Sequence, residues 1–442
     1  MRSLHPVLPA ALVGATSLAW PAAARADGGS TGADSTLTVV ALVGAVSVAY
    51  LLAHFVVGRL QKAFLVLAGV EYVLLGALLA DHGHMPYRLP AFSDLRDVLP
   101  IVALAVGWVG LLRGVALRVA RLREGETAGP ARVVVVQALA AGGLTTAAAY
   151  AAIDAGWFGE TGAREAWMAA GGLGCAAAAG STGPIELLSK RYRLEGPLPE
   201  RIRRMAVMSD LLAIVVFGLL FAVHHSYDAN AAVQPSATEW AVVSVLLGVL
   251  LGVLFRPFLG EDDSENGRLL ALVGIIVLSS GASYFLQLSP LFVNLTLGLV
   301  LVNTAKAGPQ IRATLKRTRA PMALVLLVFA GALWRPPALD AAEVALFAIG
   351  YTALRIAGKW LGTGLAAWRA GLRPDYYRGL LAHGEVSVAM AVSLRLVYEG
   401  PAIDLAYTAI LASVIVCDLV APRVLRGLLV DTGDLRGEKE PA

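Results

Sequence analysis

The sequence predicts an all-α polytopic membrane protein with about 13 transmembrane helices, and three observations predict it. Hydrophobic residues fill 57% of the 442 positions, with 46 glycines besides, well above the roughly 45–50% apolar content of soluble domains. Charged residues are only 15% and fall in short clusters between apolar runs of about 20 residues, the length that crosses a hydrocarbon core of about 30 Å as a helix. The basic clusters also alternate from one loop to the next, as positive-inside topology requires. The net charge of +4 is therefore a loop property and implies no nucleic-acid partner. Cys175 and Cys417 both fall within apolar spans, outside any C-x-x-C or Cys/His pattern, and read as packing residues.

Residues 1–26 combine Arg2, an apolar stretch from Val7 to Trp20 and Ala24-Arg25-Ala26, the A-x-A pattern of a cleaved signal peptide. A short uncleaved first helix is the alternative, and both readings leave Asp27 to Ser35 outside. Spans are then predicted at about 36–57, 63–80, 95–112, 133–153, 166–189, 205–224, 239–258, 269–287, 289–304, 321–338, 341–367, 377–397 and 402–422. Counted from outside, 27 of the 36 Lys and Arg lie in inner loops, the second of which runs from Arg113 to Arg132. The outer loops hold only Arg88, Arg96, Arg164 and Arg335. This places the N-terminus outside and the C-terminus inside. Residues 27–424 form one transmembrane domain, and 425–442 a short cytoplasmic tail, too short to fold as a sensing domain.

Spans four to six and eleven to thirteen traverse the membrane in opposite senses, because seven positions separate them. The middle member of each triplet is also the most interrupted. Span five carries Gly171, Gly172, Gly174 and then Gly180-Ser181-Thr182-Gly183-Pro184; span twelve carries Gly379 and His383-Gly384-Glu385. Glycine costs about 1 kcal/mol in a helix interior and proline about 3 kcal/mol. Gly171 to Gly174 fits close helix packing. Ser181 to Pro184 reads as a broken helix whose freed backbone groups need partners in lipid. Interrupted helices at matching places in two inverted halves point to a binding site near the bilayer middle.

Asp210 stands alone in an apolar run, roughly 9 Å inside Arg204 at 1.5 Å per residue. A carboxylate there costs about 2.5–3.5 kcal/mol on insertion scales and is a functional residue by default. On the same rise, Ser181 lies roughly 13 Å, Glu385 roughly 10 Å and Lys359 roughly 15 Å from the inner ends of their spans, so the four share one layer. Arg355 lies one turn from Lys359 on the same helical face. A carboxylate beside an ammonium in a partly wet cavity holds a proton or a hard monovalent cation, not both. Ser209 and Thr182 can add oxygen ligands. Glu71, outside the triplets, fits a helix contact or dimer interface better than ion binding. His383 fits a hydrogen-bonded packing role, and His82, His84, His224 and His225 fall at the outer surface. Glu186 and Asp418, near the inner boundary, carry no assigned role.

These residues also resemble a known family. Asp210-Leu-Leu-Ala-Ile after the Ser181-Thr182-Gly183-Pro184 break, Leu297-Gly-Leu-Val-Leu-Val-Asn303, Arg355-Ile-Ala-Gly-Lys359 and Gly379-Leu-Leu-Ala-His-Gly-Glu385 follow one another as in the cation:proton antiporter superfamily. The bacterial sodium/proton and potassium/proton exchangers are the most similar branch. The resemblance implies an inverted-repeat antiporter fold in which two broken helices cross beside an ion-binding aspartate, here Asp210. Thr182 and Ser181 would line the crossing, and Lys359 would pair with Asp210 or compete for it. It implies a homodimer too, with a core from spans 133–224 and 341–422 moving against a scaffold built from the other spans. Ser209 departs from the Asp, Asn or Gln usual before the aspartate, so the family's electrogenicity rule does not transfer.

The expected function is exchange of Na⁺, with K⁺ or Li⁺ as further candidates, for H⁺ in a bacterial cytoplasmic membrane, with no cofactor and no covalent chemistry. The alternative is a sodium-coupled symporter of a small organic anion, which would need a larger polar cavity. An intramembrane metalloenzyme using His383 and Glu385 would lack ligands, since the only other histidine well inside a span is His54. A purely structural or receptor role leaves Asp210 and Lys359 at one depth unexplained.

Overall fold

In the computed structural model the described residues are 69–79, 99–117, 128–156, 161–225, 235–258, 265–305, 308–370 and 373–438. The signal segment 1–26, the span at 36–57 and His54, His82 and His84 lie outside them. The elements are α1 (Val70–Leu79), α2 (Leu99–Ala116), α3 (Ala128–Asp154), α4 (Ala163–Ala178), α5 (Gly183–Arg191), β1 (Tyr192–Leu194), α6 (Leu198–Val223) and α7 (Ala237–Leu254). There follow α8 (Glu265–Phe285), α9 (Pro290–Thr304), α10 (Gly308–Ala332), α11 (Ala341–Ala370), a 3₁₀ turn (Pro374–Gly379), α12 (Gly384–Val397), α13 (Pro401–Asp431) and β2 (Leu435–Glu438). Seven of the described helices are long and apolar enough to cross a membrane, and Pro290–Thr304 is a shorter apolar one.

The two interrupted spans have a local cause. Span five divides into α4 and α5, with 179–182 out of the helix and Pro184 in the first turn of α5. There its missing N–H costs nothing, because first-turn N–H groups have no partner within the helix. Span twelve divides into the 3₁₀ turn and α12, and Gly384 opens α12 at φ +68°. A side chain is disfavoured at that φ by about 1–2 kcal/mol.

Two sets of helices build the bundle. In one, α3 packs on α11, α4 and α6, and α12 packs on α13 and α4. In the other, α2 packs on α9, α10 and α8, α1 on α10 and α7 on α9. The α2–α9 seam is closed by glycine: a Cβ on Gly114 would collide with Leu295 O, and one on Gly298 would stand 2.6 Å from Leu111 O. An apolar core runs from Val106 on α2 through Phe217 on α6 to Val388 and Ile403 on α12 and α13. A second, with Ile185, Ile202, Leu380 and Leu425, lies at the end where the basic loops gather. Leu246, Leu250, Ile349 and Trp368 stay exposed, as side chains facing lipid do.

Two stretches differ from the sequence-based expectation. α13 does not stop near 422 but continues through Pro422 to Asp431, and β2 then returns to pair antiparallel with β1, Leu194 opposite Leu435. Of the short tail expected at 425–442, residues 425–431 are thus a helix end and 435–438 a ribbon strand. The cause is apolar burial that periodicity alone does not show: Leu425, Leu428 and Leu429 are fully buried. Arg113, expected to begin an inner loop, is in the last turn of α2 and buried.

Candidate functional site

The two breaks meet in the bundle interior. Ser181 Oγ occupies the space a Cβ on Gly384 would need, so the second break can approach the first only with glycine there. Each break exposes backbone groups that water cannot reach, and each obtains partners from the chain. Arg355, fully buried on α11, donates to Ala179 O at 3.3 Å in the first break and to Leu381 O at 2.5 Å and Ala382 O at 3.2 Å in the second. Lys359, one turn along, donates to Ala179 O at 2.9 Å, Ala178 O at 3.3 Å and Gln137 Oε1 at 3.2 Å. Gly358 and Gly362 flank it and let α11 lie against Ala141 and Gln137 of α3.

Three N–H groups at the breaks go to carboxylates. Asp210 Oδ1 on α6 accepts from Gly180 N at 3.1 Å, while Asp418 Oδ1 on α13 accepts from His383 N at 2.9 Å and Gly384 N at 3.4 Å. Asp210 and Asp418 therefore each accept from the backbone of one break. Ser209 Oγ beside Asp210 accepts from Gln137 Nε2 at 3.1 Å, so Gln137 joins the aspartate's helix to Lys359.

A chain of alternating charge leads away from Asp210. Arg113 Nε lies 3.2 Å from Asp210 Oδ2, at ion-pair distance but without hydrogen-bond alignment. Its Nη2 donates to Glu385 Oε1 at 2.9 Å. Arg319 on α10 bridges onward, from Glu385 Oε1 at 3.2 Å to Glu186 Oε2 at 2.8 Å, and Thr182 Oγ1 donates to Glu186 Oε1 at 2.7 Å. Side-chain exposure rises steadily along the chain, from 0% at Asp210 through 7% at Arg113, 10% at Glu385 and 29% at Arg319 to 41% at Glu186.

Of the residues singled out in the sequence, Asp210, Ser209, Lys359, Arg355 and Glu385 thus come together around the breaks. Lys359 faces the first break's carbonyls, and the cation at ion-pair distance from Asp210 is Arg113. Ser181 and Thr182 sit in the break with locally engaged hydroxyls: Ser181 Oγ accepts from Gly183 N, and Thr182 donates to Glu186. His383 is fully buried between Ser387 Oγ at 2.9 Å and Ser413 Oγ at 2.8 Å, a packing arrangement. Glu71 Oε2 accepts from Gly69 N at the start of α1. His225 stacks on Trp240 with ring centroids 3.6 Å apart. Cys175 and Cys417 are buried free thiols. Among the described residues no cluster of three or more His, Cys, Asp or Glu could hold a metal ion.

Sequence reasoning missed Arg113, Arg319, Gln137, Glu186 and Asp418. Gln137 had a signal, being a buried amide inside an apolar span. Asp418 had another, since it stands in span thirteen as Asp210 stands in span six. The signal for Arg113 was the apolar run that continues past it through Val115 to Leu117.

The family model for the transmembrane part of sodium/hydrogen exchangers matches residues 111–430. The fold is similar to the structure at pH 8 of the sodium proton antiporter MjNhaP1 from Methanocaldococcus jannaschii, with a TM-score of 0.59 at 15% identity over 89% of this chain and 98% of that one. An electron-microscopy structure of the same antiporter matches with a TM-score of 0.59 at 16% identity, over 91% and 99% of the two chains. Among curated proteins, none matches the sequence at a significant level.

Proposed function

The chain belongs to the sodium/hydrogen exchanger family, whose members are membrane-embedded cation/proton antiporters and not enzymes, and from that premise we propose that Asp210 binds the cation and the proton in turn. One observation carries the proposal: a carboxylate with no solvent exposure lies against a broken helix, Oδ1 held by Gly180 N and Oδ2 without a hydrogen bond. A buried carboxylate so placed is stable with one positive partner, and a monovalent cation and a proton are alternatives for the same oxygen. Na⁺ is the proposed cation, with K⁺ and Li⁺ as the competitors to test.

Ser209, Thr182 and Ser181 are the proposed oxygen neighbours of the path. Lys359, Arg355 and Glu385 supply the surrounding charge, the first two by holding the breaks in shape. Alternating access is proposed to come from the core of 133–224 and 341–422 moving against the scaffold of the other spans, in a homodimer. The setting is a bacterial cytoplasmic membrane, with the N-terminus outside after signal cleavage and the C-terminus inside. The test is reconstitution into liposomes holding a pH-sensitive dye, with Na⁺, K⁺ or Li⁺ added outside. Cation-driven proton movement in the wild type and none in Asp210→Asn supports the reading; no movement with any of the three, or a mutant as active as wild type, defeats it.

A further inference from the structure

An exchanger of this kind works only if its empty, charged site cannot cross. Otherwise the cation runs down its gradient with no proton returned. Something in the fold must prevent that step, given the proposed exchange at Asp210 on which this reading rests.

Arg113 belongs to α2, whose backbone is pressed onto α9 at Gly114 and Gly298, whereas Asp210 and Glu385 belong to helices packed around the breaks. Its guanidinium spans Asp210 Oδ2 at 3.2 Å and Glu385 Oε1 at 2.9 Å, so one cation joins the two sets of helices across the site. Arg319 on α10 makes a second, more exposed tie from the same set, to Glu385 and Glu186. The other charged or polar groups facing Asp210 come from its own neighbourhood: Gly180 N in the first break, Gln137 through Ser209, and Lys359 on the adjoining carbonyls. Asp210 Oδ2, the oxygen nearest Arg113, is the one left without a hydrogen bond. A cation or a proton arriving at Asp210 therefore removes the charge that holds Arg113.

We propose that Arg113 is a tethered counter-ion, which occupies Asp210 when the site is empty and pins the moving helices to α2, and which a bound cation or proton displaces to permit the transition. Arg113 is thus a positioning residue for coupling, not an added ion ligand. A guanidinium suits the role because its planar fork can serve two carboxylates at once.

The test uses liposomes loaded with radiolabelled Na⁺ and, in parallel, radiolabelled Rb⁺ as a tracer for K⁺, held on both sides at about pH 9, where proton return is scarce. Efflux is compared between a medium containing the unlabelled cation and one without it. Wild type should release label at least about tenfold faster into the cation-containing medium, a ratio that one buried charge pair readily supplies. In Arg113→Gln the two rates should agree within about twofold, because the empty site now returns. Arg113→Lys, with a point charge that cannot bridge both carboxylates, should leak to an intermediate degree, and it decides the matter if the Gln variant fails to fold. A variant that exchanges yet still needs the outside cation, or a folded one that exchanges in neither medium, overturns the lock. Wild type without exchange, or Asp210→Asn exchanging like wild type, defeats the site reading instead.

Discussion

Arg355→Met tests what holds the two breaks together. Arg355 is fully buried and donates to three carbonyls, Ala179 O in one break and Leu381 O and Ala382 O in the other. Hydrogen bonds to a charged group contribute about 1.5–3 kcal/mol each, so the three are worth roughly 4–9 kcal/mol. Methionine fills much of the volume but leaves Leu381 O and Ala382 O without the Arg355 donor, while Ala179 O keeps Lys359, and it also relieves the several kcal/mol spent on burying a guanidinium. The expected net loss is about 2–4 kcal/mol, which for a chain of this size lowers the melting temperature by about 2–5 °C. The assay is thermal unfolding in detergent followed by intrinsic tryptophan fluorescence, with cation-driven proton movement in liposomes as the second readout. Arg355→Lys should recover little of the loss, since one ammonium cannot replace a fork aimed at both breaks. A Met variant that melts within about 1 °C of wild type and exchanges normally would refute the clamp, because orphaned buried carbonyls cannot be free of cost.

Further outcomes follow from the same geometry. Gly384→Ala meets both the positive φ and Ser181 Oγ, so it should cost at least about 1–2 kcal/mol in stability and slow exchange sharply; pairing it with Ser181→Ala should recover part of both. Gln137→Leu removes the link between Lys359 and Ser209 and should weaken apparent cation affinity, read as a raised half-saturation concentration in the dye assay, while the protein remains folded. Because proton and cation compete for Asp210, the half-saturating cation concentration should rise about tenfold per pH unit through the acid side of the profile; a value independent of pH would contradict a shared site. His383→Asn should lower thermal stability by about 1–3 kcal/mol through the lost contacts to Ser387 and Ser413 yet leave the pH profile unmoved, which separates a packing histidine from a pH sensor.

The sequence by itself determined the features carried by local pattern. Apolar run length marked the helices, glycine and proline marked interruptions at Gly180 to Pro184 and at Gly379 with His383 to Glu385, close to the observed breaks at 179–182 and 380–383, and the isolation of Asp210 in an apolar run marked it as costly. Depth counting put Asp210, Glu385 and Lys359 in one layer, and the structure brings all three to the breaks. Only the tertiary structure decided which charges meet. Arg113 stands near the inner end of an apolar run, where a basic residue reads as a loop anchor, yet it pairs with Glu385 across 272 positions of sequence. Lys359, which depth alone would pair with Asp210, turns instead to the carbonyls of a broken helix. The physical reason is that depth fixes one coordinate, along the membrane normal, whereas the rotation of each helix and its distance from its neighbours are set by close contacts such as Gly358 on Ala141 and Gly114 on Leu295. Those contacts join segments far apart in the chain, and no local pattern contains them.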